Sequence, residues 1–238
     1  MNWHHRSPRV YRFLEKNYVD EFFETGKLRL SSFAKFRKHT DEQRLDISEG
    51  SISMLCRTEE SSTEPLFVQA LVGTDAYVLS GCLVPSVDVM KDFRADSAIV
   101  IRDPVGFAQA IGAAMPSFRY GFDGPCSYQS RRFVYGDLSR LNAPQEAYRA
   151  FATEPSDPAY AERMGVLIGA VAQQDPYFLK HHGYLHQNEW RFVWVVDQVS
   201  EDILYVAAPE ARQFCEPWGN STHFVAFDRN GPLEPPSQ

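Results

Sequence analysis

The amino-acid sequence predicts one α+β domain in which strands outnumber helices. Alternation of polar and apolar residues and short apolar runs, both typical of strands, recur along most of the chain. The helical patterns do not alternate regularly with the strands, which argues against a doubly wound parallel sheet. The length of 238 residues suits one large domain. We therefore expect mixed, mostly antiparallel sheets with peripheral helices over residues 1–228, and a loose tail over residues 229–238.

The elements follow from these patterns in chain order. Strands are predicted for residues 10–13, 27–30, 51–56, 66–72, 77–84, 98–101, 131–135, 188–196, 203–207 and 223–227. Helices are predicted for Lys16–Thr25, which Gly26 would end, for a short segment after Ser31 or Ser32 that holds Phe33 and Phe36, and for residues 104–115 and 161–173. Residues 39–50 read as a charged loop, and residues 136–160 as a surface excursion with some helix.

The distribution of charge limits the kind of ligand. A net charge of −7 disfavours non-specific binding to nucleic acid. The first 50 residues nevertheless carry ten Lys and Arg against eight Asp and Glu, so the acidic excess lies in the rest of the chain. This distribution is compatible with a small basic site for a phosphorylated ligand and shows no broad basic face.

The cysteines and the apolar segments indicate the compartment. Cys56, Cys82, Cys126 and Cys215 form no CxxC pair, which argues against a zinc knuckle. The first residues are polar and lack an apolar signal core, and no stretch approaches the roughly 18 apolar residues of a membrane helix. We expect reduced thiols, a cytoplasmic location and no membrane partner.

The strongest local signal is the predicted strand NEWRFVWVV near the end of the chain. Strand alternation places Glu189 and Arg191 on one face. Trp190, Phe192 and Trp194 lie on the other face, which should pack into the core. Glu189 is then expected as an exposed carboxylate at the start of the strand, where a cleft can form. The alternative is a Glu–Arg ion pair on a solvated strand face.

Two further strands carry candidate site residues. Arg12 can anchor a phosphate, because its guanidinium matches phosphate oxygens bidentately; the alternative is a surface or ion-pair residue. Ser80 interrupts an apolar run just before Gly81, and small residues there permit close approach of backbone or ligand. The alternative for Ser80 is a buried hydroxyl bonded to the backbone. It does not lie in a GxSxG elbow, so a hydrolase role is poorly supported.

Other polar clusters are less specific. The run RLDISEG at residues 44–50 is either a stapled turn or a lid over a site. His181, His182 and His186 precede the Glu189 strand without an HExxH pattern or fitting Cys or Asp residues, so no metal site is expected. The sequence also contains no Walker A and no GxGxxG motif.

In order and spacing, these motifs resemble those of an uncharacterised bacterial domain family. The shared features are Tyr11-Arg12-Phe13, the segment from Gly26 to Phe36, the run at residues 44–50, the small-residue strand at residues 79–82 and the segment from Glu189 to Val193. The layout also resembles the R-S-E class of the ADP-ribosyltransferase superfamily, and implies a fold of that type.

The resemblance to ADP-ribosyltransferases implies a role for each candidate. Arg12 would hold the phosphates of NAD, and Ser80 would brace the nicotinamide ribose and Glu189. Glu189 would bind the ribose 2′-hydroxyl and stabilise the positive charge that develops as nicotinamide leaves. Tyr11, Tyr77 or Tyr184 would stack on the nicotinamide.

The same resemblance implies partners and a biological role. NAD would be the co-substrate, and the acceptor would be RNA, DNA or protein. Such transferases often act as bacterial toxins or phage-defence effectors, which implies an antitoxin protein as a partner. Two alternatives remain open from the residues: an NAD glycohydrolase that uses water as the acceptor, and a non-catalytic α+β binding module in which Glu189 and Arg191 are a structural pair.

Overall fold

The structure is a computed structural model that describes residues 7–37, 49–57, 66–131, 133–137, 156–160, 165 and 174–218. It has an α+β fold with mostly antiparallel sheets and a few helices, as the sequence predicts. The strand predicted for residues 223–227, the predicted tail and, apart from residue 165, the helix predicted for residues 161–173 lie outside the described residues.

The described elements agree closely with the strong sequence patterns. The strands are β1 (Val10–Leu14), β2 (Lys27–Ser32), β3 (Ser51–Arg57), β4 (Leu66–Leu71), β5 (Ala76–Cys82), β6 (Ser97–Ile101), β7 (Phe118–Pro125), β8 (Ser127–Gln129), β9 (Phe133–Asp137), β10 (Leu179–His181), β11 (Glu189–Val196), β12 (Ile203–Ala207) and β13 (Cys215–Pro217). The helices are α1 (Lys16–Thr25), α2 (Phe33–Arg37), α3 (Val87–Asp92), α4 (Pro104–Ala114) and α5 (Asp175–Phe178), with 3-10 helices at His182–Gln187 and Pro209–Phe214.

The main sheet has eight strands and forks at β5. One edge of β5 pairs with β11 along its whole length, and β11 pairs in turn with β7. The other edge is shared between two strands. Its beginning pairs with β2 through Ser31 and Ser32, and its end pairs with β1 through Tyr11. The β2–β12 branch and the β1–β6–β13 branch therefore diverge from β5 and leave an opening beside Ser80.

Two smaller sheets flank the main one. β4, β3 and β9 form a three-stranded sheet, and β10 pairs in parallel with β8. β8 follows β7 after one residue, so this pairing brings β10 next to the start of β11. The segment from α5 to the first 3-10 helix is thereby placed over one face of the main sheet.

The largest core among the described residues lies on the other face of the main sheet. Phe192 and Trp194 of β11 are buried there with Phe107 of α4, and the half-buried Trp190 packs against the same core. The prediction that this aromatic face packs inward is confirmed. Because strand alternation has a period of two, the face that bears Ser80, Glu189 and Arg191 is fixed as well.

Local signals set the ends of the elements near the fork. Gly26 ends α1 with a φ of 76°, and its N–H donates to the Phe22 carbonyl at 2.7 Å. β2 continues through Ser32, two residues further than predicted. The Ser32 hydroxyl accepts from the Lys35 N–H at 3.2 Å, which is the predicted cap of the short helix.

The longest helix in the described part of the chain, α4, has 11 residues. None of the helices described there is long and apolar enough to cross a bilayer.

Candidate functional site

The fork in the main sheet contains a cavity of about 280 Å³. Its walls are built by β1 and α1 on one side and by β2 and β12 on the other, with β5 and β11 at its base. Arg12, Ser80 and Glu189 all line it. The structure thus brings together three residues that lie far apart in the sequence and that the motif layout singles out.

Glu189 is buried, with only 4% of its surface exposed. The expectation of an exposed carboxylate is therefore wrong. The alternative is confirmed in its ion pair between Glu189 and Arg191, at 2.8 Å, but is wrong in placing that pair on a solvated face. The physical reason is the cover formed by β10 and the first 3-10 helix, from which Lys180 and Gln187 pack against the start of β11. The aromatic face was expected to be the only buried face of β11; both are buried.

Four polar groups fix the position of Glu189. Its Oε1 accepts from the Ser80 hydroxyl at 2.5 Å and from Arg191 Nε at 2.9 Å. Its Oε2 forms an ion pair with the Lys180 ammonium. Its backbone N–H donates to the Tyr128 hydroxyl at 2.7 Å. A carboxylate held from this many sides has a fixed orientation, which a preorganised site requires.

The same neighbours keep Glu189 ionised. Burial by itself raises the pKa of a carboxyl group, because it penalises the charged form. The positive charges of Arg191 and Lys180, and hydrogen bonds from Lys180 and Ser80, outweigh this effect and hold the pKa of Glu189 well below its usual range. The group is therefore a buried and permanent negative charge.

A second buried carboxylate, Glu49, completes the cluster. Arg191 Nη1 donates to Glu49 Oε1 and to the Tyr177 carbonyl, both at 2.6 Å, so this arginine lies between two carboxylates. Lys180 balances the second negative charge, and the four charged groups together are neutral. Glu49 belongs to the charged run at residues 44–50 and lines the cavity, whereas residues 44–48 lie outside the described part of the chain.

Arg12 lies across the fork from the cluster. Its Nη1 donates to the Ser80 carbonyl at 2.8 Å. Backbone hydrogen bonds alternate between the two edges of an antiparallel strand. The bonds of Leu83 and Val196 show which alternate residues of β5 bond to β11, and Ser80 is not among them. Its carbonyl therefore faces the fork. Arg12 is thus tied to the strand that carries Ser80.

Gly81 allows β1 to approach β5 at the point where the fork closes. A Cβ at this position would lie 2.5 Å from Val10 Cγ1 and 3.2 Å from the Tyr11 carbonyl oxygen. The small-residue pattern around Ser80 therefore permits close approach of a neighbouring strand, one of the two options that the sequence left open.

Neither Tyr11 nor Tyr77 lines the cavity, so the structure does not support their predicted stacking role. Tyr77 points to the opposite face of β5 from Ser80, is buried in the largest core, and donates from its hydroxyl to the Glu201 carbonyl at 3.1 Å. Tyr11 packs edge-on against Trp218, with 5.5 Å between ring centroids. Tyr184, the third predicted candidate, does line the cavity, and the Lys180 ammonium lies 5.0 Å from its ring centroid.

Sequence reasoning did not find three residues of the site. Lys180 lies on a strand of three residues, too short for a periodic pattern. Gln187 accepts from the Lys180 ammonium at 2.7 Å and is buried; its position two residues before Glu189 is the only signal that marks it. Glu49 lay within a run that was read as a loop or lid, and nothing in the sequence indicates its burial.

The cavity is basic although the chain is acidic. Of its charged lining residues six are basic and four are acidic, against a net charge of −7 for the whole chain. The basic residues are Arg12, Lys27, Arg29, Lys35, Lys180 and Arg191. This lining matches the small basic site that the charge distribution of the sequence allows.

The described cysteine side chains offer no nucleophile, and the described residues offer no metal site. Cys82, Cys126 and Cys215 are free and buried, and burial raises the pKa of each to about 12, so they are protonated and unreactive. Across the described ranges, no group of three or more His, Cys, Asp or Glu residues is arranged to hold a metal ion.

No protein-family model, curated protein or solved structure matches the chain. The class of protein is therefore inferred from the forked sheet, from the cavity and from the groups that line it.

Proposed function

We propose that the protein is an NAD-dependent ADP-ribosyltransferase with a fold of that type. The observation that carries the proposal is the meeting of Arg12, Ser80 and Glu189 in one cavity, from three different strands. Glu189 is ionised and fixed there, with the Ser80 hydroxyl bonded to it and the Arg12 guanidinium on the opposite wall.

These groups suit the transfer of ADP-ribose. A nucleophilic O–H or N–H of the acceptor forms a bond to C1′ of the ribose while the bond from C1′ to the nicotinamide nitrogen breaks. The electron pair of that bond goes to nicotinamide, which leaves neutral, and the acceptor loses its proton to solvent. Positive charge develops on the ribose, and a preorganised carboxylate stabilises it strongly in a water-poor site. Positioning of the two reactants supplies the rest.

The lining also suits the diphosphate of NAD. A diphosphate is doubly negative, and the basic residues outnumber the acidic ones around the cavity. Arg12 offers the planar fork that phosphate oxygens prefer. The volume of about 280 Å³ is near the lower end for small-molecule sites, and suits the nicotinamide-ribose end of NAD with the remainder along the open mouth.

A second candidate, a non-catalytic binding module, is favoured by one specific observation. Both carboxylate oxygens of Glu189 are already engaged, and the cluster of Glu49, Lys180, Glu189 and Arg191 is neutral. Buried ionic clusters of this kind can serve to specify one fold. In that case Glu189 would tie β10 and β11 together and would have no part in chemistry.

Labelled NAD distinguishes the candidates. The purified protein is incubated with NAD labelled in the adenylate half and a whole-cell extract, and the products are treated with protease or with nuclease. Transfer of label to a macromolecule, lost in Glu189→Gln, supports the transferase. Nicotinamide release without labelling indicates an NAD glycohydrolase. If NAD is neither bound nor turned over, the binding module is the remaining candidate.

A role as a toxin is tested in parallel, since cells should tolerate expression of Glu189→Gln better than that of the wild type.

A further inference from the structure

A strip of side chains crosses four strands of the main sheet, from β12 through β2 and β5 to β11, the strand of Glu189. Tyr205 of β12 pairs with Arg29 of β2, and Ser80 of β5 pairs with Arg191 of β11. Ser31 pairs with Val78, and that antiparallel register, continued by two residues, places Arg29 opposite Ser80 across the fork. Paired residues point to the same face of a sheet, so all of these side chains share one face.

The outer part of this strip is exposed. Tyr205 is 61% exposed, although it is a large aromatic residue. The Lys27 ammonium lies 5.3 Å from its ring centroid, and the exposed Arg29 is its cross-strand neighbour. Glu21 pairs with Lys27 at 2.8 Å, whereas Arg29 has no ion-pair partner within the described ranges. All of these residues line the same cavity as Glu189.

An exposed aromatic ring beside cations is the arrangement that binds single-stranded nucleic acid. Each base has a face that can stack on tyrosine, and the adjoining phosphates are bound by lysine and arginine. The strip is narrow and the whole chain has a net charge of −7, so it does not suit the long phosphate track of a duplex. A single strand needs only one base and one or two phosphates for a first contact.

We propose that the strip of Lys27, Arg29 and Tyr205 binds the acceptor of the reaction, and that this acceptor is a single-stranded nucleic acid. The inference rests on the proposed transferase activity and names its acceptor class. Three strand spacings, about 15 Å in all, separate Tyr205 from Arg191. A base stacked on Tyr205 therefore places the next nucleotides of the strand at the mouth of the cavity, where an O–H or N–H group can meet the ribose held near Glu189.

Fluorescence anisotropy with short, labelled, mixed-sequence single-stranded RNA and DNA tests the strip in the absence of NAD. Tyr205→Ala should weaken binding on the order of tenfold, as expected for loss of one base–aromatic stack. Arg29→Ala should weaken binding and reduce the slope of log affinity against log salt by about 0.7, the value for one phosphate contact with a single strand.

β7 provides matched controls. Tyr120 is another exposed tyrosine, with the Arg119 guanidinium 5.9 Å from its ring centroid, and neither residue lines the cavity. Tyr120→Ala and Arg119→Ala should leave binding unchanged. Equal effects of the control and test variants, no binding to either oligonucleotide, or equally tight binding of inorganic polyphosphate would each overturn the proposal. So would weaker NAD binding by Tyr205→Ala without any oligonucleotide binding, because the strip would then belong to the NAD site.

The two proposals can fail separately. If oligonucleotides do not bind but Glu189→Gln abolishes turnover of NAD, the transferase stands and only its acceptor class is wrong. If oligonucleotides bind through Tyr205 while NAD is neither bound nor turned over, the strip belongs to a nucleic-acid-binding module, and the inference about a transferase acceptor falls with the proposed activity.

Discussion

Glu189 combines two properties that usually exclude each other, since it is both fully buried and ionised. Desolvation of a single carboxylate is costly, and two cations offset it here. Arg191 is shared with Glu49, whereas the Lys180 ammonium contacts only Glu189 among the carboxylates described. Lys180 is therefore the side chain whose loss would change the environment of Glu189 most selectively.

Replacement of Lys180 by Met should destabilise the protein by about 3–5 kcal/mol at pH 7, because it leaves two buried carboxylates, Glu49 and Glu189, with Arg191 as their shared cation. Arg191 and Lys180 lower the pKa of Glu189 in the folded state, so the stabilisation from its charge is present above the unfolded pKa of about 4.3 and is lost as the pH falls through the lowered folded value. The difference between wild type and variant in urea-induced unfolding should therefore shrink below about pH 4. A difference that is small at pH 7, or constant with pH, would contradict this role.

Arg12 allows a test of phosphate binding that is separate from chemistry. Arg12→Ala should weaken NAD binding by about 1.5–3 kcal/mol, the range for hydrogen bonds to charged groups. Arg12→Lys should not restore the affinity fully, because an ammonium cannot reproduce the planar fork. Isothermal titration of the folded variants with NAD gives the answer, and an unchanged affinity in Arg12→Ala would remove Arg12 from the site.

Among the strands, the geometry of the fork depends on how closely β1 approaches β5. The approach is set by Gly81, since a Cβ there would collide with Val10. β1 carries Arg12 immediately beyond this contact. A small displacement of β1 would therefore move the Arg12 guanidinium.

Gly81→Ala should destabilise the protein by about 1–3 kcal/mol, as is typical for overpacking, and should weaken NAD binding as β1 shifts. Gly124→Ala on β7 is the matched control, because its Cβ would meet the Phe178 ring at ordinary contact distances of 3.7 Å to Cε1 and 3.9 Å to Cζ. Chemical unfolding and NAD titration of both variants are the measurements. Equal stability and affinity for the two variants would show that Gly81 does not set the fork.

The strands that the sequence predicted well are those with a long, regular pattern. β11 has eight residues, of which the first four alternate between polar and apolar, and its aromatic face lies in the core as predicted. β7 was not predicted, because Gly121, Gly124 and Pro125 interrupt its apolar pattern. β8 and β10 have three residues each, and their parallel pairing joins segments about 50 residues apart. That pairing places β10 and the first 3-10 helix over Glu189. The motifs therefore identified the carboxylate as a candidate but could not predict that it is buried.

For the molecule as a whole, the charge asymmetry of the sequence has a structural counterpart. Five of the ten Lys and Arg of the first 50 residues lie on β1, β2 and α2, and four of these, Arg12, Lys27, Arg29 and Lys35, line the cavity. The remaining, acidic part of the chain supplies Glu189 itself. An acidic protein with a basic cavity should attract anions to that cavity. The charge distribution of the sequence was compatible with a site of this kind, but its location depends on the fork, which is formed by strand pairings that are distant along the chain.

Release of nicotinamide from NAD by the wild type, Glu189→Gln and Glu49→Gln tests most directly whether Glu189 is catalytic. Both variants remove one negative charge from the same buried cluster, so both should lose some stability, and the rates are compared at a temperature at which each is folded. We expect Glu189→Gln to lose activity by about a hundredfold or more with much of its NAD affinity kept. Glu49→Gln should lose far less, because Glu49 contacts Arg191 and not Ser80. Equal losses in the two variants, or near-wild-type activity in Glu189→Gln, would contradict a catalytic role and leave Glu189 as a structural member of the cluster.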